Sequence, residues 1–131
     1  MPAHAESLCA NKQASCLLVL FIPSKDRFDQ EIDQQHWVDL SLQALGQFFG
    51  GATAFPHGHG VWRDDARGGI LLYDKPVVIQ CYTSEELIEK RGPDLRAFLI
   101  QMGQETKQGA VGLVIDRDYL EIGFDLAAEG H

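Results

Sequence analysis

The fold of this chain is decided by the stretch CLLVLFI, residues 16–22, a run of seven apolar residues ended by Pro23. A continuous apolar run of this length predicts a buried central strand, and proline stops it because it cannot donate a hydrogen bond to a neighbouring strand. Two similar runs follow, VVIQCY at residues 77–82 and AVGLVI at residues 110–115. We therefore predict three buried strands.

Two stretches with helical spacing of apolar residues separate these strands. The first begins at Asp33, a residue type that caps helix N-termini, and ends at about Phe49, before Gly50-Gly51. The second begins at TSEE, residues 83–86, which has the spacing of a capping box, and we expect Gly92-Pro93 to interrupt it. The pattern thus predicts two helices, each placed between strands.

Shorter extended segments complete the predicted order: residues 52–55, 60–63, 70–73 and 119–122. The order strand, helix, strands, helix, strand predicts an α+β fold. The simplest closed arrangement is a ferredoxin-like βαββαβ sandwich, with a mainly antiparallel sheet, two helices on one face and a short extra C-terminal strand.

The chain has 131 residues, which is a common size for a single domain of roughly 100–150 residues. We predict one α+β domain over residues 15–124. Residues 1–14 are polar and aperiodic, so we expect a disordered N-terminal tail, and residues 125–131 are expected to form a C-terminal tail.

The formal net charge of −8 disfavours general nucleic-acid binding, because the sequence has no cluster of Lys and Arg to neutralise phosphates. The longest apolar run is far shorter than the roughly 18–20 residues that span a bilayer, so we expect no membrane insertion. Three cysteines without CxxC spacing fit reduced thiols. Together these features predict a cytoplasmic protein.

Polar residues follow the first strand at Ser24, Lys25 and Asp26 and supply a hydroxyl, a cation and an anion. Loops in this position often contact ligands in layered α/β folds, so the three residues are candidates for binding a small polar or anionic ligand. The alternative is a solvated loop in which Ser24 or Asp26 caps a turn.

A second group of candidates lies on other segments. Trp62 and Arg63 offer an aromatic face beside a guanidinium, which suits stacking on a planar ligand, although a tryptophan in a strand is usually a core residue. Thr53 lies on an adjoining extended segment. Glu105 and Thr106 close the second helix, where the helix dipole disfavours an acid, so they are candidates as well.

The string His57-Gly58-His59 precedes Asp64 and Asp65 and forms the one His/carboxylate cluster of the sequence. Two histidines and a carboxylate can bind a divalent metal. The spacing HxH alone is also typical of a surface loop, and we assign no metal to it. The sequence contains no GxSxG, P-loop, GxGxxG or HExxH motif, and no cofactor is implied.

Four strings together resemble a family of short uncharacterised bacterial proteins: FIPSKD at 21–26, FGGATAF at 49–55, GVWRDD at 60–65 and ETKQGAVGLVI at 105–115. The resemblance covers most of residues 17–122. It implies a fold but no activity, because none is established for that family.

Two functional hypotheses remain open at this point. The first is a non-catalytic binding or assembly module, acting with a protein partner or by self-association as part of a larger bacterial system, since no catalytic motif is recognisable. The alternative is a small hydrolase or lyase with a polar pocket. The residues of that pocket would be Ser24, Lys25, Asp26, Arg63 and Glu105.

Overall fold

The computed structural model describes residues 3–11 and 14–123 of the chain. A 3₁₀ turn at Asp65–Arg67 joins two of the strands. In chain order the elements are α1 Ala3–Ser7, β1 Cys16–Ile22, α2 Gln34–Phe49, β2 Thr53–Phe55, β3 Gly60–Asp64, β4 Ile70–Asp74, β5 Val77–Thr83, α3 Glu85–Glu105, β6 Ala110–Ile115 and β7 Asp118–Gly123.

Five strands form one antiparallel sheet in the order β2-β5-β1-β6-β7. The central strand β1 pairs with β5 along its full length, from Cys16 opposite Thr83 to Ile22 opposite Val77. On its other side β1 pairs with β6. With α2 and α3 as the crossovers, this is the predicted ferredoxin-like sandwich, and β7 is the predicted extra strand.

The two faces of β1 differ in burial because successive side chains of a strand point to opposite sides. Leu18, Leu20 and Ile22 are fully buried, whereas the alternate residues, such as Val19 and Phe21, are half-buried. The buried side packs on both helices, and fully burying one such side chain contributes roughly 1.5–3 kcal/mol. We call the opposite side of the sheet the open face.

Helix α2 begins and ends as the sequence predicts. The Asp33 side chain accepts a hydrogen bond from the backbone N–H of His36 at 3.2 Å, which satisfies one free donor of the first turn. At the other end Gly50 adopts a left-handed conformation with φ of 96° and donates to the carbonyl of Gly46 at 2.9 Å. The buried residues between these caps face the sheet: Trp37, Val38, Ser41, Leu45 and Phe49.

Helix α3 corrects one prediction, because it runs through Gly92 and Pro93 without a break. Proline removes one hydrogen bond of the helix, but Pro93 is exposed, and apolar residues continue on the buried side beyond it. Ile88 before the proline and Leu95 and Leu99 after it all contact the same core. Packing of these apolar side chains therefore outweighs the local preference of Gly92-Pro93 to end the helix.

Strands β3 and β4 form a separate two-stranded sheet, which we call the hairpin. Sequence reasoning expected these segments but not their separation from the main sheet. Asp64 holds the turn of the hairpin, accepting from the Ala66 N–H at 3.1 Å and from Arg67 Nε at 2.5 Å. The hydrogen bond from Arg67 lowers the pKa of the Asp64 carboxyl below its ordinary value.

The predicted N-terminal tail contains the short helix α1, whose Ala5 is buried. The predicted C-terminal tail, residues 125–131, lies outside the described residues, and so does residue 124. Within the described ranges no helix is both long and apolar enough to cross a lipid bilayer.

The proline in α3 gives a test of the fold. We expect Pro93→Ala to raise the free energy of unfolding by about 2 kcal/mol, since the regained hydrogen bond outweighs the added freedom of the unfolded chain. Denaturant titration followed by circular dichroism measures the change. Pro56→Ala, in the exposed loop after β2, is the control and should leave stability unchanged or slightly lower. Equal effects of the two variants would contradict a continuous α3.

Candidate functional site

A cleft of about 400 Å³ lies between the hairpin and the open face of the sheet, and we call it the hairpin cleft. Its apolar and aromatic walls come from three regions: β1 and its end, the hairpin, and β6–β7. The aromatic residues among them are Phe21, Trp62, Tyr73 and Tyr119. The volume falls within the range of roughly 300–1,000 Å³ that is usual for small-molecule sites.

The cleft is lined by more carboxylates than cationic side chains. The carboxylates that line it are Asp26, Asp29, Asp64, Asp74 and Glu121, and the cations are Lys25, Arg27 and Arg63. One of the cations is already paired inside the cleft, with Lys25 Nζ 3.3 Å from Asp29 Oδ1, and Arg63 pairs with Asp65 at 2.6 Å. The hairpin cleft is therefore an aromatic cavity with an excess of negative charge.

Gly112 of β6 and Tyr119 of β7 form the part of the cleft wall that belongs to the open face of the sheet. The Tyr119 ring lies over Gly112 so closely that a Cβ added to the glycine would overlap the phenol group. The hydroxyl of Tyr119 donates to Glu121 Oε2 at 3.2 Å. Partial burial, with a further contribution from the Glu121 carboxylate, raises the pKa of Tyr119 above its ordinary value. The phenol at this wall is thus kept protonated.

The loop of residues 23–32 borders the cleft and is fixed by its own hydrogen bonds. Asp26 Oδ1 accepts from the backbone N–H groups of Phe28 at 2.8 Å and Gln30 at 2.9 Å. Gln108 donates from its side-chain amide to the Lys25 carbonyl at 2.8 Å, which ties the loop to the start of β6. The loop therefore has a defined conformation, which pre-organises the wall that it forms.

Ser24 and Asp74 join the end of β1 to the turn between β4 and β5. Asp74 Oδ1 accepts a hydrogen bond from the Ser24 hydroxyl, from the Ser24 backbone N–H at 2.8 Å and from the Lys75 N–H at 2.9 Å. The Ser24 hydroxyl in turn accepts from the Lys75 N–H at 3.0 Å. These contacts fix the base of the hairpin against the sheet.

The structure brings together four of the candidates from the sequence and separates the others. Lys25, Asp26, Trp62 and Arg63 line the hairpin cleft. Trp62 is 46% exposed, so the alternative of a core tryptophan is wrong. Ser24 lies at a second, adjoining cavity of about 480 Å³.

The remaining three candidates lie outside both cavities. Thr53 is exposed on the edge strand β2. Glu105 is exposed at the end of α3 and accepts from Gln101 at 2.8 Å. Thr106 is buried, and its hydroxyl donates to the Met102 carbonyl at 2.7 Å, which explains it as part of the helix end.

His57 and His59 border the second cavity. The ring of His57 contacts Gln34 through Nε2 and Oε1 at 2.8 Å. In the described ranges no three side chains of His, Cys, Asp or Glu are grouped as metal ligands. Asp64 and Asp65, the carboxylates expected beside the histidines, instead pair with Arg67 and Arg63.

Two cysteines are buried in the core, and burial raises the pKa of each thiol above its ordinary value. At Cys16 the nearby Asp116 carboxylate adds to this effect. A thiol with a raised pKa is a poor nucleophile near neutral pH, because the thiolate is the reactive form. Cys16 and Cys81 are consequently structural residues.

The fold is similar to that of a phage SAM lyase in complex with S-methyl-5'-thioadenosine, with a TM-score of 0.65 and 15% identity over 88% of this chain and 96% of that one. A phage SAM lyase in the apo state gives a TM-score of 0.59 at 15% identity, over 86% and 91% of the two chains. The divalent ion tolerance protein CutA1 from Ehrlichia chaffeensis aligns with a TM-score of 0.48 at 9% identity, over 82% and 84%.

No protein-family model matches the sequence, and no curated protein is significantly similar to it. At 15% identity, the likeness to the phage enzyme establishes a shared fold. The two chains share this fold over nearly their whole lengths.

The contact between Tyr119 and Glu121 gives a test of the cleft wall. We expect Glu121→Gln to lower the pKa of Tyr119 toward the ordinary value of about 10, because a neutral amide no longer opposes the tyrosinate charge. Ultraviolet absorbance titration measures this pKa. The titration of each protein is corrected by subtracting that of the same protein with Tyr119→Phe, so that only the Tyr119 phenol remains. Glu105→Gln, which removes the same charge outside the cleft, should leave the pKa where it is. A Tyr119 pKa that is insensitive to Glu121→Gln would refute the contact.

Proposed function

We propose that the hairpin cleft binds an adenosyl sulfonium compound of the class of S-adenosylmethionine, and that the protein is a lyase that cleaves it. The observation that carries this proposal is the combination of aromatic walls and excess carboxylates in one cleft of nucleoside size. It develops the hydrolase or lyase alternative from the sequence, whose residues Lys25, Asp26 and Arg63 line the same cleft.

Each part of the cleft matches one part of such a ligand. Aromatic faces such as those of Trp62 and Tyr119 stack on a purine and attract a cation through the ring quadrupole. The carboxylates provide a negative potential that favours a sulfonium over a neutral thioether. The shared fold with a phage SAM lyase that holds S-methyl-5'-thioadenosine supports the same ligand class.

The reaction needs few catalytic groups from the protein, because the thioether that departs from a sulfonium is already a good leaving group. When the bond between sulfur and the amino-acid chain breaks, its electron pair returns to sulfur and S-methyl-5'-thioadenosine is released. The carbon that loses sulfur either bonds to the ligand's own carboxylate or forms an alkene after an adjacent proton passes to a base. Positioning of the bound ligand therefore supplies most of the catalysis, without a nucleophilic side chain.

Glu121 is the carboxylate whose removal tests the proposal most cleanly, since it is exposed on β7 and not part of the core. Wild-type protein incubated with S-adenosylmethionine should release S-methyl-5'-thioadenosine, measured by chromatography. We expect Glu121→Gln to lower kcat/KM about tenfold, equivalent to about 1.4 kcal/mol of lost charge stabilisation. Glu105→Gln is the matched control and should retain wild-type activity.

Product analysis from the same reaction separates the two routes: the lactone and the alkene are isomers of equal mass, but only the alkene shows vinyl protons by nuclear magnetic resonance. Absence of both turnover and binding of S-methyl-5'-thioadenosine by the wild-type protein would reject the proposed function. Equal loss of activity in Glu121→Gln and Glu105→Gln would reject the hairpin cleft as the site of the reaction.

A second candidate function, self-association as an assembly module, is supported by the exposed apolar side of the hairpin. Val61 of β3 and Leu71 of β4 lie on the same side of the hairpin and border neither cavity. Both side chains are more than half exposed. A two-stranded hairpin is marginally stable by itself, so covering this side with a second copy of the chain would stabilise it.

Light scattering coupled to size-exclusion chromatography tests self-association. We expect the wild-type mass to exceed that of one 14.6 kDa chain. Leu71→Glu, at a residue that is 55% exposed, should return it to a monomer because a charge cannot be buried unpaired. Leu8→Glu, at a residue that is 78% exposed but distant in sequence from the hairpin, is the control and should not change the mass. A monomeric wild-type protein over a wide concentration range would exclude this function.

A further inference from the structure

The second cavity adjoins the hairpin cleft, and the two share part of their walls. Its volume is about 480 Å³, and it lies between the loop after β1, residues 57–60 and the turn between β4 and β5. Three residues line both cavities: Lys25, Tyr73 and Asp74. A ligand longer than a nucleoside can therefore extend from one cavity into the other.

Resting on the proposed function, we infer that the second cavity is the subsite for the α-amino-acid end of the same ligand. This end carries one carboxylate and one ammonium group, so its recognition needs charges of both signs. The second cavity provides them in equal number, with Lys25 and Lys75 as cations and Glu31 and Asp74 as carboxylates. The hairpin cleft, in contrast, has an excess of carboxylates.

The cationic side of this subsite is available for a ligand carboxylate. Lys75 forms no ion pair with any residue in the described ranges, and its side chain is exposed at the cavity. Its backbone is nevertheless fixed, because the N–H donates to Ser24 and Asp74 and the carbonyl accepts from the Gln34 amide at 3.0 Å. Among the described residues the ammonium of Lys75 is thus an unpaired cation on a fixed backbone.

On the anionic side of the subsite, the Asp74 carboxylate is available for a ligand ammonium. All the hydrogen bonds that Asp74 accepts from Ser24 and Lys75 go to Oδ1, so within the described residues Oδ2 has no hydrogen-bond donor. The carboxylate is therefore held in one orientation with one oxygen left for a ligand ammonium. Gln34 fixes the opposite wall, where its Oε1 contacts His57 at 2.8 Å.

This arrangement places the bond to be cleaved at the shared wall. With the nucleoside in the hairpin cleft and the amino acid in the second cavity, the sulfur between them lies beside Tyr73 and Asp74. An aromatic ring and a carboxylate are the groups that stabilise a sulfonium. The inference therefore assigns the second cavity a role in positioning the chain that leaves the sulfur.

Two stable ligands separate the subsites in a calorimetric titration. S-Adenosylhomocysteine contains both the nucleoside and the amino acid, whereas S-methyl-5'-thioadenosine lacks the amino acid. We expect the wild-type protein to bind the former more tightly. Lys75→Ala should weaken binding of S-adenosylhomocysteine at least tenfold and change that of S-methyl-5'-thioadenosine less than twofold.

Lys90→Ala is the matched control, because Lys90 is an exposed lysine of α3 that borders neither cavity. It should affect neither ligand. Glu31→Gln tests the ammonium side and should reproduce the selective loss. The inference is overturned if Lys75→Ala weakens both ligands equally or neither, or if wild type binds S-methyl-5'-thioadenosine as tightly as S-adenosylhomocysteine. If neither ligand binds to wild type, the subsite is rejected, and if S-adenosylmethionine is not turned over either, the proposed function is rejected with it.

Discussion

The register of β1 is the constraint on which the rest of the structure depends. Because side chains alternate along a strand, a shift by one residue would exchange Leu18 and Leu20 with Val19 and Phe21 and would expose the core. Pairing with β5 over seven residues prevents this shift. The same register sends Phe21 to the open face, where it becomes part of the hairpin cleft. Core and cleft are therefore two results of one pairing.

A second constraint acts where β1 ends. Pro23 stops the strand, and Ser24 then bonds to Asp74 at the base of the hairpin. Removal of the Asp74 carboxylate would leave the Ser24 donors without their acceptor in a half-buried place, at a loss of roughly 1–3 kcal/mol for each unsatisfied group. Since Asp74 lines both cavities, this contact sets their relative position as well as the orientation of the hairpin.

The sequence predicted most of the sheet and α2, because long apolar runs, Asp33 and Gly50 act locally. It failed at Pro93, where long-range packing of α3 outweighs the local signal. The candidate site was predicted in part: Lys25 and Asp26 follow a buried strand, and Arg63 lies on the hairpin. Tyr119 and Glu121 were missed because they reach the cleft only through the pairing of β7 with β6, and no local pattern reports that register.

The hairpin links the two candidate functions, because it lines the cleft and also exposes apolar side chains outside it. Trp62 and Leu72 are opposite each other and line the cleft, whereas Val61 and Leu71 do not border it. A partner that covers Val61 and Leu71 would hold the hairpin in place. The cleft would then be closer to its binding geometry before a ligand arrives, and less ordering would oppose binding. Assembly and ligand binding would in that case be coupled through the same two strands.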